Sequence, residues 1–268
     1  EDTNISKIKL FNKFLSCFLK IGSGYSDFLN YELYKKTNKE IKEYVTVKNQ
    51  DKFYEIVSPS KYKTFFTVKP NFLKNFKKYI KRDFYYDGTL LELNKFLDKN
   101  ESFMIKPIDG LGGSGVEKIN RNDIVNVEEF YQRLQKDNLF LEGYVKQHDD
   151  MNKLCSSSVN TIRVMSFNYK GNSEILFATL RVGNGKHEVD NFHKGGMGVL
   201  IDLETGTLVG NAIDKDLNEY KHHPVSKIKF DGFKIPNWDI VKKTVLEAAK
   251  INKNIHVVGW DVAVTPEG

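Results

Sequence analysis

The chain has 268 residues, 40% of them hydrophobic and 28% charged, enough apolar side chain for a real core in one large domain or two to three small ones. Its net charge is +6, with 20 lysines and arginines against 12 acidic residues in the first hundred positions. No apolar run is long enough to cross a bilayer, no nucleic-acid-binding module accompanies the basic excess, and Cys17 and Cys155 lack metal-ligand spacing, so membrane spans, nucleic acid, zinc and a disulfide framework are not expected.

Residues 5 to 20 set Ile8, Phe11, Phe14, Leu15, Phe18 and Leu19 at helical spacing, with Lys7, Lys9, Lys13 and Lys20 off that stripe. Core packing is the simplest use of such a stripe, and docking onto a membrane surface or a partner is the alternative. Gly22-Ser-Gly24 stops this helix, and a second is expected from about Tyr25 to Tyr44. Asn71 to Arg82 reads as a helix with Phe72, Phe76, Tyr79 and Ile80 on one side. Lys74, Lys77, Lys78, Lys81 and Arg82 form its solvated basic face, or else meet an acidic polysaccharide, a lipid-linked sugar phosphate or an anionic membrane. A short helix over Leu90 to Leu97 follows.

Next comes Phe103-Met-Ile-Lys-Pro-Ile-Asp-Gly-Leu-Gly-Gly-Ser-Gly-Val-Glu-Lys-Ile119, a lysine ending one apolar run and a glycine-rich loop before another. Gly110, Gly112, Gly113 and Gly115, with Ser114 among them, can turn backbone N–H groups toward an anion with no Cβ in the way, and Lys106 adds a fixed charge. Gly110, Gly112 and Gly115 also spell G-x-G-x-x-G, but Val116 to Ile119 alternates like a strand where a dinucleotide site needs a helix. A Walker loop would end in Gly-Lys-Ser/Thr, and a protein kinase puts its lysine after the glycines. An ordinary glycine-rich hairpin turn would explain one or two glycines more readily than four.

A helix near Glu128 to Lys136 leads to the run Leu139-Phe-Leu-Glu-Gly-Tyr-Val-Lys-Gln-His148. Strands are expected at Thr161 to Asn168, Glu174 to Val182, Gly198 to Asp202 and His256 to Val264, with a helix at Trp238 to Lys250. Alternation puts Asn160 and Ile162 on one face and Thr161 and Arg163 on the other. Arg163 and Arg181, in mid-strand, need an anion or a carboxylate, since a guanidinium cannot deprotonate. Asp190 and Asn191, with Asn160, are candidates for an acceptor site, and an Arg181–Asp190 salt bridge is the structural alternative. Asp261 stands in the apolar run Val257 to Val264, where a buried carboxylate calls for a cation, and magnesium is the natural one. His222 and His223, adjacent on an extended segment, point apart and do not chelate together, and Cys155 has no basic neighbour in sequence beyond Lys153.

Lysine before a glycine loop on a strand–loop–strand resembles the lid of the ATP-grasp superfamily. Ser158-Val-Asn-Thr-Ile-Arg-Val164, Leu180-Arg-Val-Gly183, Val189-Asp-Asn191, Gly195-Gly196, Leu200-Ile-Asp-Leu-Glu-Thr-Gly206, His222-His-Pro224, Ile235-Pro-Asn-Trp238 and Val258-Gly-Trp-Asp-Val-Ala-Val264 resemble, in this order, its branch associated with sugar transfer and teichuronopeptide synthesis. The match covers roughly residues 60 to 268.

The resemblance implies an α+β fold with an N-terminal helical region (1–66), an α/β lid domain (67–138) and a C-terminal antiparallel-sheet domain (139–268). It implies ATP and Mg2+ as cofactors. ATP would be held by Lys69, Lys106, the loop Gly110 to Gly115, Glu142, the backbone near Val145 and Lys194, and the metal by Asp261. Lys69 departs from the family in following Val68 and not an acid, and Lys194 reads more readily as a plain loop lysine. The family's Glu-x-Asn segment that completes the metal site would fall past Gly268, so both ends, Glu1 and Pro266-Glu-Gly268, read as cut.

The implied activity is a carboxylate–amine ligase working through an acylphosphate in cell-surface polysaccharide or capsule biosynthesis, with Arg163 and Arg181 catalytic and a small-molecule or sugar-linked acceptor. The rivals are a kinase acting on a hydroxyl and a non-catalytic nucleotide-binding partner of a glycosyltransferase. With no secretory signal pattern at the N-terminus, a cytoplasmic protein is expected, peripheral to the inner membrane face if the basic N-terminal region docks there.

Overall fold

The computed structural model describes residues 5–108, 115–185 and 195–268. Two compact units form, Glu1–Lys61 and Tyr62–Gly268. Among the described residues no helix is long and apolar enough to cross a membrane.

In the first unit, α1 spans Lys7–Ile21. Ser6 opens it, its hydroxyl accepting the Lys9 N–H at 3.4 Å. Gly22 closes it with φ 64°, the left-handed conformation that returns an N–H to Phe18 O and that a residue with a Cβ resists. Its buried face is Leu10, Phe14, Cys17 and Ile21 against Phe28, Leu33 and Ile41, whereas Ile8, Phe11, Leu15, Phe18 and Leu19 are exposed. That corrects the expected stripe. Two apolar stripes overlap on this helix and share Phe14, and the one containing Cys17 packs.

The expected second helix is likewise cut short. α2 covers Tyr25–Asn30, Glu32 turns left-handed at φ 48°, and only single 3-10 turns at Leu33–Lys35 and Glu40–Glu43 follow. Asp27 ties this irregular stretch together by accepting the N–H groups of Gly24 and Val47, each at 3.0 Å. α3, Gln50–Val57, had no sequence expectation.

The second unit starts with α4 (Thr64–Thr67) and α5 (Lys69–Asn75). α5 is much shorter than the expected Asn71-to-Arg82 helix, because the chain turns at Phe76–Tyr79. The aromatic side of this segment does pack: Phe65, Phe66, Phe72, Phe76, Tyr79 and Ile80 join the core of the larger sheet, with Phe76 5.4 Å from Trp260 in edge contact. Lys74 and Lys77 stay exposed, as a solvated basic face requires.

The stretch expected as the lid forms, together with the strand that follows its expected end at 138, a four-stranded sheet in which every pairing is antiparallel, in the order β1-β4-β2-β3. β1 is Phe84–Tyr85, β2 Ser102–Pro107, β3 Glu117–Asn120 and β4 Leu139–Gly143. β3 and β4 run the same way on either side of β2, joined by α7 (Val127–Lys136), a split β-α-β unit. α6 (Leu90–Lys99) begins with a capping box, Thr89 and Glu92 exchanging side-chain-to-N–H bonds of 3.3 and 2.8 Å. Leu93, Phe96 and Leu97 of α6 and Phe130 and Leu134 of α7 bury one face of this sheet through Phe103, Ile105 and Leu141.

The C-terminal sheet has six antiparallel strands in the order β10-β5-β6-β7-β8-β9. β5 is Thr161–Tyr169, β6 Asn172–Val182, β7 Met197–Ile201, β8 Leu208–Ile213, β9 Glu219–Tyr220 and β10 Val257–Ala263, preceded by the short α8 (Asp149–Leu154). α9, Trp238–Ala249, packs Val241, Val245 and Ala248 against one face, where Ile162, Val164, Ala178, Leu180, Val199 and Ile201 are buried. The opposite face is open. β8 and β9 escaped the sequence reading because Gly210, at φ 77°, bulges the strand and Asn211 breaks the alternation.

Candidate active site

Alternation along β2 turns Phe103 and Ile105 into the lid core and sends Lys106 to the opposite face. β4 brings Glu142 to the same face. The Lys106 ammonium donates to Glu142 Oε2 in a short contact, and Arg82 Nη2 donates to Oε1 at 2.7 Å. The Glu142 side chain is only 6% exposed, against 26% for Lys106 and 32% for Arg82. Burial is the largest influence and pushes the Glu142 carboxyl up, but Arg82 and Lys106 together outweigh it and hold the group below its ordinary value. The cluster keeps one positive charge in excess.

Lys69, in the first turn of α5, donates to Pro107 O at 2.8 Å and lies 5.5 Å from the centre of the Phe140 ring. Two lysines therefore flank the end of β2, where the chain enters the glycine loop. Gly115, on the far side, has φ 69°, and a Cβ there would approach Pro107 Cγ to 3.1 Å, so only glycine fits. Gly110, Gly112, Gly113 and Ser114 lie outside the described residues, as do Asp190, Asn191 and Lys194. Val145 lines a cavity of ≈ 410 Å³ together with Arg82, Tyr144, Trp260 and Asp261, so the β4 exit and β10 share one cleft. Three cations, Lys81, Arg82 and Lys146, line it, and α9 contributes Thr244, Val245 and Ala248.

On the open face of the larger sheet, Arg163 grips Asp261 with both ends of its fork, Nε to Oδ1 at 2.8 Å and Nη2 to Oδ2 at 3.0 Å. Arg181 Nη1 adds a contact of 3.3 Å to Oδ1. All three sit on the open face of the sheet, Asp261 directly opposite Arg163 in register. The premise that Asp261 is buried does not hold, because its side chain is 47% exposed and Trp260 is the buried member of this edge strand.

The carboxylate has cationic partners within the protein, and among the described residues no cluster of three His, Cys, Asp or Glu could hold a metal. Within the described residues the partners of Asp261 are thus Arg163 and Arg181. Arg181 pairs with Asp261, while Asp190, its expected partner, lies outside the described residues.

Asn160 is corrected as well. It is fully buried, its amide nitrogen donating to Gln147 Oε1, Met151 O and Cys155 O at 3.0, 3.0 and 2.8 Å, so it knots the chain before β5 and faces no acceptor. His223, too, is interior: its Nδ1 accepts the N–H groups of Val225 and Ser226, and its Nε2 meets Gly183 O at 2.9 Å. Cys155 thus gains a neighbour that sequence did not offer. Burial raises its thiol, but hydrogen bonds from His223 and Ser157 prevail and bring it to about 7. Sequence reasoning also missed Arg82 as the partner of Glu142, and Tyr144 and Trp260 as cleft walls; only the basic run and the apolar pattern carried any trace of them.

The sequence matches the sugar-transfer associated ATP-grasp family over residues 29–268. The chain belongs to that family. No curated protein sequence matches this ATP-grasp chain. Among solved structures it is similar to the ATP-grasp ligase PsnB bound to precursor peptide PsnA2 and AMPPNP, with 11% identity and a TM-score of 0.46, covering 100% of this chain and 64% of that one. PsnB bound to a minimal precursor gives 14% identity and a TM-score of 0.45 over 80% of this chain and 52% of that one. Biotin carboxylase from Campylobacter jejuni gives 12% identity and a TM-score of 0.34 over 97% and 70%. The chain thus spans between about half and two thirds of the PsnB chains it matches.

Proposed function

We propose that this ATP-grasp protein is an ATP-dependent ligase that joins a carboxylate to an amine in cell-surface polysaccharide biosynthesis. The observation that carries the reading is the cationic group at the end of β2, with Lys106 and Arg82 on Glu142 and Lys69 on Pro107 O, where Arg82 also lines the cavity that Asp261, held by Arg163 and Arg181, reaches from β10. Triphosphate oxygens compete with Glu142 for Lys106 and Arg82. With the nucleotide seated, an oxygen of the substrate carboxylate attacks the γ-phosphorus, ADP leaves, and an acylphosphate forms. An amine then adds to the acyl carbon, loses its proton and expels phosphate, leaving an amide.

Arg163 and Arg181 orient the carboxylate and stabilise charge on the transferring group, and the work of the site is positioning and electrostatics. Magnesium, when bound with ATP, would supply further charge neutralisation. The polysaccharide setting and a sugar-linked acceptor rest on the family's name alone. In the first unit, the exposed Ile8, Phe11 and Phe18 beside Lys7 and Lys9 support association with a membrane surface or a glycosyltransferase.

The test is product analysis. ATP and magnesium are incubated with the protein and a panel of amino acids and sugar acids, and ADP release and product mass are followed. An amide accompanied by ADP and phosphate is expected. A stable phosphoester product would replace the ligase with a kinase, and nucleotide binding with no turnover on any acceptor would favour a binding partner.

A further inference from the structure

The open face of the six-stranded sheet continues past the arginines into an apolar shelf. Register fixes this row by row. Asp261 on β10 lies opposite Arg163 on β5, Arg163 opposite Thr179 on β6, Thr179 opposite Leu200 on β7, and Leu200 opposite Val209 on β8. One row to one side Met165 faces Phe177, and one row to the other Arg181 faces Gly198. Rows two residues apart share a face, so Phe177, Leu200 and Val209 stand on the same side as the arginine cluster. All three are exposed, while their strand neighbours Ala178, Ile201 and Leu208 are buried beneath.

With strands spaced about 4.8 Å apart, the shelf begins roughly 10 Å from Asp261 and extends to about 19 Å. Its head is cationic, since among the described residues two guanidiniums share the single carboxylate of Asp261. Its body offers aliphatic and aromatic carbon, with Thr179 between.

The geometry points to a carboxylate substrate that is a short peptide or amino acid carrying bulky apolar side chains, its carboxylate on Arg163 and Arg181 and its side chains on Phe177, Leu200 and Val209. A sugar laid there would lose hydrogen bonds to water and gain none from leucine and valine, which is costly. A fatty acyl chain would cover only one of its sides on an open sheet face and keep the other in water. The inference rests on the ligase reading above and narrows its substrate.

The experiment is calorimetric titration of the full chain, with AMPPNP and magnesium present, using leucyl-phenylalanine, glycylglycine, glucuronate and octanoate as probes. Leucyl-phenylalanine is expected to bind at least tenfold more tightly than glycylglycine. The double variant Leu200→Ser/Val209→Ser, at exposed positions, should abolish that difference while AMPPNP affinity stays unchanged. Equal binding of the two dipeptides, or no dipeptide binding while AMPPNP binds, overturns the shelf. Tighter binding of glucuronate or octanoate that the double variant removes also overturns it and assigns the face to a sugar or an acyl chain. Loss of AMPPNP binding by the wild-type chain itself would instead strike at the nucleotide site.

Discussion

Glu142→Gln removes the counter-ion that two cations share, and its consequence can be worked from the cluster geometry. The carboxylate is almost fully buried, while Lys106 and Arg82 are each between a quarter and a third exposed. Breaking a buried ion pair by deleting one partner costs about 3–5 kcal/mol. Water reaching the two cations relieves part of that, which leaves about 2–3 kcal/mol. For a unit of this size, each kcal/mol moves the melting temperature by about 2–4 °C. A fall on the order of 4–12 °C is therefore expected in a thermal melt without nucleotide.

ATP should restore a larger share of stability to the variant than to the wild type, because phosphate oxygens supply the missing negative charge. The pH dependence carries a sign. Since the folded Glu142 carboxyl titrates below its ordinary value, its contribution is present above the unfolded carboxylate range and is lost as pH falls through the lowered folded value. The wild type should thus lose stability in acid faster than Glu142→Gln does. A variant that melts within 1 °C of the wild type, with an identical acid limb, would show that Glu142 does not balance these cations.

Lys106→Ala should weaken ATP binding on the order of tenfold to a hundredfold, since a charge-assisted contact contributes about 1.5–3 kcal/mol; calorimetry on the folded variant showing unchanged affinity would remove Lys106 from the phosphate site. Asp261→Asn breaks an exposed ion cluster of the kind worth about 0–1 kcal/mol, so its melting temperature should hardly move while turnover falls, and normal activity across a magnesium titration would make Asp261 purely structural. Asn160→Ala strips the amide that Gln147, Met151 and Cys155 bond to, and should cost about 2–4 kcal/mol in denaturant unfolding with ATP affinity untouched; a loss of affinity without a loss of stability would return Asn160 to the acceptor site.

What the sequence disclosed and what it withheld divide along chain separation. The β2–β3 hairpin pairs residues less than twenty apart, and its lysine, glycines and alternation sit side by side in the chain, so they could be read directly. α9 and the strands β5, β6, β7 and β10 of the large sheet likewise match their expected bounds within two residues, because each is a single unbroken period. The Arg82–Glu142 bond joins residues sixty positions apart, and no local pattern told Arg82 from the lysines around it.

α1 failed differently. Both of its apolar stripes satisfy the helical period, and only the placement of Phe28, Leu33 and Ile41 decides which is buried. The Asp261 error has a related cause. Apolar neighbours in sequence suggest burial, yet β10 is an edge strand with one face open, and its valines are only partly covered. An open face beside a core-forming face is what lets one sheet be both a scaffold and a wall of the site. The same alternation that buries Val164 and Ala178 under α9 holds Arg163 and Thr179 on the open face. Shifting β5 by one residue would turn Arg163 into the core and Val164 out of it, so stability and site are specified by the same pattern and would be lost together.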